Sequence, residues 1–75
     1  MKRFMGLMPS EEVSKMITFR DQYGLKISIE SGSHGWTVMW ADGSCTYEDV
    51  NSSTEGNFQK AMNHVTSKGF ILKED

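Results

Sequence analysis

The stretch from Gly35 to Asp49 constrains the fold more than any other, because it has the pattern of a β-hairpin. Asp42 and Gly43 lie between two runs of strand-forming residues, and Asp-Gly is favoured in a two-residue type I′ turn, whose central residues need positive φ. Such a turn predicts five cross-strand pairs. They are Ala41–Ser44, Trp40–Cys45, Met39–Thr46, Val38–Tyr47 and Trp36–Asp49.

This predicted register assigns the side chains of the hairpin to two faces, since side chains alternate along a strand. One face is large and mostly apolar and is expected in the core: Trp36, Val38, Trp40, Cys45 and Tyr47. The other face is mixed and is expected in water: Thr37, Met39, Ala41, Ser44, Thr46 and Glu48. The thiol and the aromatic rings are therefore predicted to be buried, which leaves the mixed face for function.

The segment before the hairpin has two interpretations. Ser10 is a good N-cap, two glutamates follow it, and apolar residues recur at helical spacing as far as Gly24, which predicts a helix. The alternative is a strand through Ile17 and Phe19 that turns at residues 21–24. We favour the helix, because the alternation covers only two apolar positions.

The next strand and a second helix have clearer patterns. Apolar and polar residues alternate over 25–30, which predicts a half-buried strand, and turn-forming residues over 31–35 connect it to the hairpin. A helix is predicted to begin near Ser52, which has capping-box spacing to Glu55, with Ser53 or Thr54 as alternative caps, and to end at Gly69. Its apolar stripe is Phe58, Ala61, Met62 and Val65.

These elements predict an α+β fold of order α-β-β-β-α, in which a three-stranded antiparallel meander sheet has two helices packed on one face. Residues 10–72 form the single domain. An apolar N-terminal arm over 1–9 precedes it, Ile71 and Leu72 add a last extended piece, and residues 73–75 form a solvated tail. A chain of 75 residues has room for one domain with a small core.

Composition limits the classes of function. The net charge of −2 disfavours an electrostatic grip on nucleic acid. Hydrophobic residues make up 37% and charged residues 24% of the chain, which is typical of globular proteins. The single cysteine cannot form an internal disulfide and suits a reducing compartment, and no apolar run reaches the length of a membrane span. We therefore expect a cytoplasmic protein that does not bind membranes.

No combination of side chains predicts catalysis, a metal site or a cofactor. Cys45 and His64 are conceivable as nucleophile and base, but the thiol is predicted to be buried and no third group would orient them. The two histidines, Cys45 and Asp42 lack the paired spacing of zinc ligands. We therefore expect a protein that is not an enzyme and holds no cofactor.

The α-β-β-β-α order resembles that of the double-stranded RNA-binding domain over residues 10–69. Gly32-Ser33-His34 is similar to the Gly-Pro-x-His motif of that family, and Trp36-Thr37-Val38 lies where the family has an aromatic and β-branched strand. The resemblance implies nucleic-acid binding as an alternative function, with contacts from His34, Lys60 and Lys68. The matching residues 55–60 hold one lysine and one glutamate, so the family's lysine motif is lacking.

The leading hypothesis is a small, non-enzymatic protein-interaction module of the cytoplasm that regulates or inhibits a larger protein. Exposed sheet edges accept partner strands, and methionine-rich surfaces adapt to partners. The expected partner is a protein of unknown identity, with a homodimer as an alternative and nucleic acid less favoured. The candidate interaction surface comprises Phe4, Met5, Leu7, Met8, Thr37, Met39, Thr46 and Glu48.

Overall fold

The computed structural model describes residues 14–75, in which a five-stranded antiparallel sheet has a helix across one face. The strands are β1 (Lys15–Arg20), β2 (Lys26–Gly32), β3 (Gly35–Met39), β4 (Cys45–Asp49) and β5 (Lys73–Glu74), and the helix is α1 (Thr54–Ser67). The order across the sheet is β4-β3-β2-β1-β5. β4 therefore forms one edge of the sheet and the short β5 forms the other.

The predicted fold class, a three-stranded sheet with two helices, is wrong. Within residues 14–75 there is a single helix, and much of the predicted first helix forms β1 instead. The alternative strand through Ile17 and Phe19 is confirmed, with these residues opposite Ile29 and Ile27 of β2. The α-β-β-β-α order that resembles the double-stranded RNA-binding domain is therefore absent from this part of the chain. The predicted arm and the start of the predicted first helix lie outside the described residues.

β1 is a strand because pairing with β2 buries its alternate side chains. Phe19 is buried and Ile17 is half-buried against the core, whereas the side chain of Met16 is 58% exposed. In the predicted helix, Met16 and Ile17 both belong to the apolar side, which would have buried both of them. Isoleucine, threonine and phenylalanine also suit the pleated surface of a strand.

The turn between β1 and β2 is organised by a buried aspartate. One carboxylate oxygen of Asp21 accepts hydrogen bonds from the backbone N–H groups of Tyr23 (2.8 Å) and Leu25 (2.9 Å). Gly24 has a φ of 83°, a conformation that favours glycine. Gly24 therefore serves this turn and does not end a helix.

The β3–β4 hairpin forms, but its predicted register is wrong by one residue. The backbone N–H of Gly43 donates to the carbonyl of Trp40 (3.0 Å), and the N–H of Trp40 donates to the carbonyl of Ser44 (2.8 Å). The loop therefore holds three residues, 41–43, with Gly43 at a φ of 91°. This is the pattern of a three-residue loop whose last residue is left-handed. Asp42 holds the loop by accepting from the N–H (2.9 Å) and hydroxyl (2.6 Å) of Ser44.

The longer loop reverses the two faces of β4. Val38 now lies opposite Thr46, and Trp36 lies opposite Glu48, so Thr46 and Glu48 are on the side of α1. Cys45 and Tyr47, which were predicted to be buried, lie on the other side of the sheet and are exposed. The indole N–H of Trp40 donates to the Thr46 hydroxyl at 2.8 Å, a bond that only the observed register allows.

The core lies between α1 and the sheet, where the helix packs mainly on β2 and β3. The predicted apolar stripe of the helix is confirmed: Phe58, Ala61 and Val65 are buried and Met62 is half-buried. The other buried apolar residues come from the three central strands, and they are Phe19, Ile27, Ile29, Trp36 and Val38.

Capping residues set both ends of α1. The N-cap is Ser53, one of the predicted alternatives, and its hydroxyl accepts from the N–H of Gly56 at 2.9 Å. At the other end the N–H of Gly69, which has a φ of 96°, donates to the carbonyl of Thr66. The predicted stop at Gly69 is therefore confirmed. No helix within residues 14–75 is long and apolar enough to cross a membrane.

The segment after α1 is held against the β1–β2 turn by a side-chain amide. Gln22 donates to the carbonyl of Gly69 (3.1 Å) and accepts from the N–H of Ile71 (2.9 Å). Residues 73–74 then pair with β1 as β5. Their side chains are exposed, which agrees with the solvated tail predicted there. Arg20 forms an ion pair with Asp75 at 3.1 Å.

Candidate interaction surface

The outer edge of β4 presents unpaired backbone groups. In an antiparallel ladder, hydrogen-bonded pairs alternate with pairs whose backbone groups point away from each other. Trp40 and Ser44 form a hydrogen-bonded pair at one end of the hairpin, and Val50 donates to the carbonyl of His34 at the other end. The N–H and C=O groups of Cys45, Tyr47 and Asp49 therefore point away from β3. No strand within residues 14–75 pairs with this edge.

The side chains of these three residues lie on the face of the sheet opposite α1, here called the open face. α1 is the element packed across the sheet in the described part of the chain, and it covers the other face. Cross-strand register places Tyr47, Thr37, Glu30 and Met16 in one row of the open face. The next row is Cys45, Met39, Ser28 and Thr18. The large exposed hydrophobic side chains of the open face are Tyr47 (61% exposed) and Met16.

The charge of the β4 side of the sheet is entirely negative. No lysine or arginine occurs from residue 27 to residue 59, a stretch that contains five acidic residues: Glu30, Asp42, Glu48, Asp49 and Glu55. Glu55 forms an ion pair with Lys15 at 2.8 Å. No lysine or arginine of residues 14–75 pairs with Glu48 or Asp49. The β3–β4 hairpin is therefore acidic, whereas cations occur on β1, β2 and β5.

Three hydrogen bonds orient two carboxylates of the hairpin. The Tyr47 hydroxyl donates to the Asp49 carboxylate, and this bond raises the pKa of the Tyr47 phenol above its ordinary value. The Asp42 pKa is lowered, first by the hydrogen bond from the Ser44 hydroxyl and then by that from the Ser44 N–H. Both carboxylates are thus held in place by neutral hydrogen-bond donors.

A recess of about 450 Å³ lies on the α1 side at the loop end of the hairpin. Its walls include the rings of Trp40 and Phe70, whose centroids are 5.5 Å apart, and Leu25. Lys68 and Asp42 provide charges of opposite sign in its lining. This recess has room for an apolar side chain. The carboxylates in its lining already accept hydrogen bonds from backbone N–H groups of the neighbouring turns.

The structure separates the hairpin residues that were predicted to form one interaction surface. Thr37 and Met39 lie on the open face, whereas Thr46 and Glu48 lie on the side of α1. Phe4, Met5, Leu7 and Met8 lie outside the described residues. The interpretation of the turn missed Cys45 and Tyr47 as exposed residues on the same face as Met39. The local signal for them is Asp42-Gly43-Ser44, which also fits a three-residue loop closed by an aspartate side chain.

The three predicted nucleic-acid contacts are spread over the molecule. His34 lies in the two-residue turn between β2 and β3, with its Nδ1 3.4 Å from Asn51 Oδ1. Lys60 is exposed on α1, and Lys68 follows the other end of that helix. A helix of 14 residues is about 20 Å long, so His34 and Lys68 lie at opposite ends of it. The structure therefore does not bring these residues together.

Cys45 and His64 do not form a catalytic pair. Cys45 is on the open face, whereas His64 is on α1 against Trp36, with ring centroids 5.1 Å apart. The sheet therefore lies between the thiol and the imidazole. No group of three His, Cys, Asp or Glu side chains that could hold a metal ion occurs among residues 14–75.

No family model, curated protein or solved structure matches this chain. The outer edge of β4 and the open face are therefore the features of the described residues that bear on function.

Proposed function

We propose that this protein is a small, non-enzymatic interaction module that binds an extended segment of a larger protein along the outer edge of β4 and so regulates or inhibits that protein. The observation that carries the proposal is the unpaired row of backbone groups on Cys45, Tyr47 and Asp49. An incoming strand would pair with these groups, and strand addition to a sheet edge is a common mode of peptide recognition.

Features of β4 itself support this role. Proteins commonly protect edge strands with charged side chains, above all lysine, with proline, with a bulge or with a very short length. The charged residues of β4 are the acids Glu48 and Asp49, which repel an acidic strand but not a basic one. β4 has five residues and contains neither proline nor lysine, and its ladder with β3 runs without interruption from Cys45 to Asp49. The edge is thus long enough to accept a partner strand.

The open face supports the same proposal. Side chains of an added strand would alternate across the sheet, so every second one would lie beside Tyr47 and Cys45. Tyr47 provides an aromatic surface with a polar end, which suits a protein interface. Met39, one strand further in, adds a flexible apolar contact.

The proposal includes a cytoplasmic location and a non-enzymatic role. The single cysteine is free and exposed, which suits a reducing compartment. The sheet between Cys45 and His64 supports a role that does not use nucleophilic catalysis.

The test compares Tyr47→Pro with Tyr47→Thr. Both variants lack the aromatic ring, but only proline lacks the N–H that points out of the edge. Proline is tolerated on an edge strand where its nitrogen faces solvent, so the sheet should remain folded. Each immobilised variant and the wild-type chain are used to capture proteins from extract of the source organism, and circular dichroism checks their folding.

We expect one protein to be retained by the wild-type chain and by Tyr47→Thr, with weaker retention by the latter, and to be lost with Tyr47→Pro. Equal retention by all three would remove the edge from the mechanism. Recovery of nucleic acid in place of protein would favour the alternative function instead.

A further inference from the structure

We infer that the partner segment carries two adjacent basic residues, which lie opposite Glu48 and Asp49 when the segment pairs antiparallel with β4. This inference rests on the proposed function and specifies the chemistry of the partner.

β4 ends in two acidic residues. Glu48 and Asp49 are both exposed, and neither is paired with a lysine or arginine of residues 14–75. The nearest cations in the sequence are Lys26 and Lys60, which lie on another strand and on α1. A cation on the strand added beside β4 would therefore supply an ion-pair partner that residues 14–75 do not provide.

The two acidic side chains lie on opposite faces of the sheet. Asp49 is on the open face and Glu48 is on the side of α1, since neighbouring side chains point to opposite faces. Side chains directly opposite each other on paired strands have Cβ atoms about 5 Å apart. One basic residue can therefore meet only one of the two carboxylates, and adjacent basic residues meet both.

The direction of the partner follows from the same register. In antiparallel pairing, the basic residues come first in the partner sequence, and the residues opposite Tyr47 and Cys45 follow. β-Branched residues suit those positions because they pack well against an aromatic neighbour across strands. The segment is therefore expected to have two basic residues followed by a β-branched run.

A second copy of the chain is a poorer occupant of this edge. Antiparallel pairing of β4 with its copy about Tyr47 would place Asp49 opposite Cys45 of the copy and Glu48 opposite Thr46. No acid would face an acid directly, but four carboxylates would share one short ladder that contains no cation. Close like charges disfavour association, so a basic segment fits better.

Fluorescence anisotropy with three labelled peptides tests the inference. The first contains Arg-Lys-Val-Thr-Val, the second replaces both basic residues with glutamine, and the third has the first sequence in reverse order. We expect about threefold tighter binding per pair and about tenfold for the first peptide over the second. Threefold corresponds to about 0.65 kcal/mol, which lies in the range of exposed ion pairs. The reversed peptide should bind more weakly than the first.

Charge-neutral variants identify the carboxylates. Glu48→Gln combined with Asp49→Asn should remove the preference for the basic peptide. Glu30→Gln, which neutralises an exposed acid two strands away on the open face, should keep it. Tyr47→Pro should weaken binding of every peptide.

The outcomes separate this inference from the proposed function. Equal binding of the basic and glutamine peptides would overturn the basic pair and leave strand addition intact. A preference that survives in the Glu48→Gln, Asp49→Asn protein would overturn the assignment of these carboxylates, and equal binding of the reversed peptide would overturn the antiparallel direction. If the wild-type chain binds none of the peptides, both proposals are overturned. Both are also overturned if the wild-type chain binds no peptide but self-associates, and Tyr47→Pro abolishes that self-association.

Discussion

Replacement of Asn57 by alanine should destabilise the protein far more than an ordinary substitution on the same helix. Asn57 is fully buried near the start of α1. Its Nδ2 donates to the carbonyl of Gly32 at 2.6 Å and to that of Val50 at 2.9 Å. Gly32 ends β2 and Val50 follows β4, so one amide joins the helix to two strand ends.

The expected loss follows from these two bonds. A hydrogen bond contributes about 1 kcal/mol net, and a buried carbonyl that loses its donor adds to the cost. The Oδ1 of Asn57 has no partner among the described residues, so its removal costs nothing, and alanine regains about 0.5 kcal/mol of helix propensity. The free energy of unfolding should fall by about 2 kcal/mol, which lowers the Tm of a domain this size by about 10 °C.

Urea and thermal unfolding followed by circular dichroism measure this loss, with Asn63→Ala as the matched control. Asn63 is exposed on the same helix and accepts one side-chain hydrogen bond, from Gln59. Its replacement should change the free energy of unfolding by less than about 0.5 kcal/mol. Equal effects of the two substitutions would refute the reasoning that the buried amide of Asn57 links the strand ends.

Further predictions concern the hairpin and the N-terminal residues. Gly35→Ala should destabilise the protein by about 1–3 kcal/mol in urea unfolding, because an added Cβ would press on the backbone of β4. Cys45 should react with a thiol reagent in the folded protein almost as fast as in urea; strong protection would contradict the observed register. Asp49→Ala should lower the pKa of Tyr47 in an ultraviolet titration, since the phenol proton loses its acceptor. Because that pKa is raised on folding, the bond's stabilisation is present below the ordinary tyrosine pKa and is lost as pH rises through the folded value. Removal of residues 1–9 should weaken partner capture or dimerisation in light scattering, and no change in either would exclude the arm from the interaction.

Local patterns were enough to predict β2 and α1. Alternation over residues 25–30 corresponds to β2, and the stripe from Phe58 to Val65 corresponds to the buried side of α1. Each pattern has one interpretation. A spacing of two residues puts the apolar side chains on one face of a strand, and a spacing of three to four residues puts them on one face of a helix.

β1 and the register of β4 could not be decided locally. The residues around Ile17 fit both periods, and the contacts that select a strand come from β2, whose paired residues lie beyond the intervening turn. Asp42-Gly43 fits loops of two and of three residues, and the choice depends on hydrogen bonds at Ser44. The predicted interaction surface has Thr37 and Met39 on one face, as in the structure. It also included Thr46 and Glu48 of β4, but the β4 side chains on that face are those of Cys45 and Tyr47.

The three-residue loop also makes the proposed binding surface unusually easy to replace during evolution. Loss of one residue from 41–43 would shift β4 by one position and exchange its two sets of side chains in a single event. Tyr47 and Cys45 would then turn toward α1, and Thr46 and Glu48 would become the exposed set. Point substitutions change one contact at a time, whereas a change in loop length would give related chains a different recognition surface with an unaltered strand sequence.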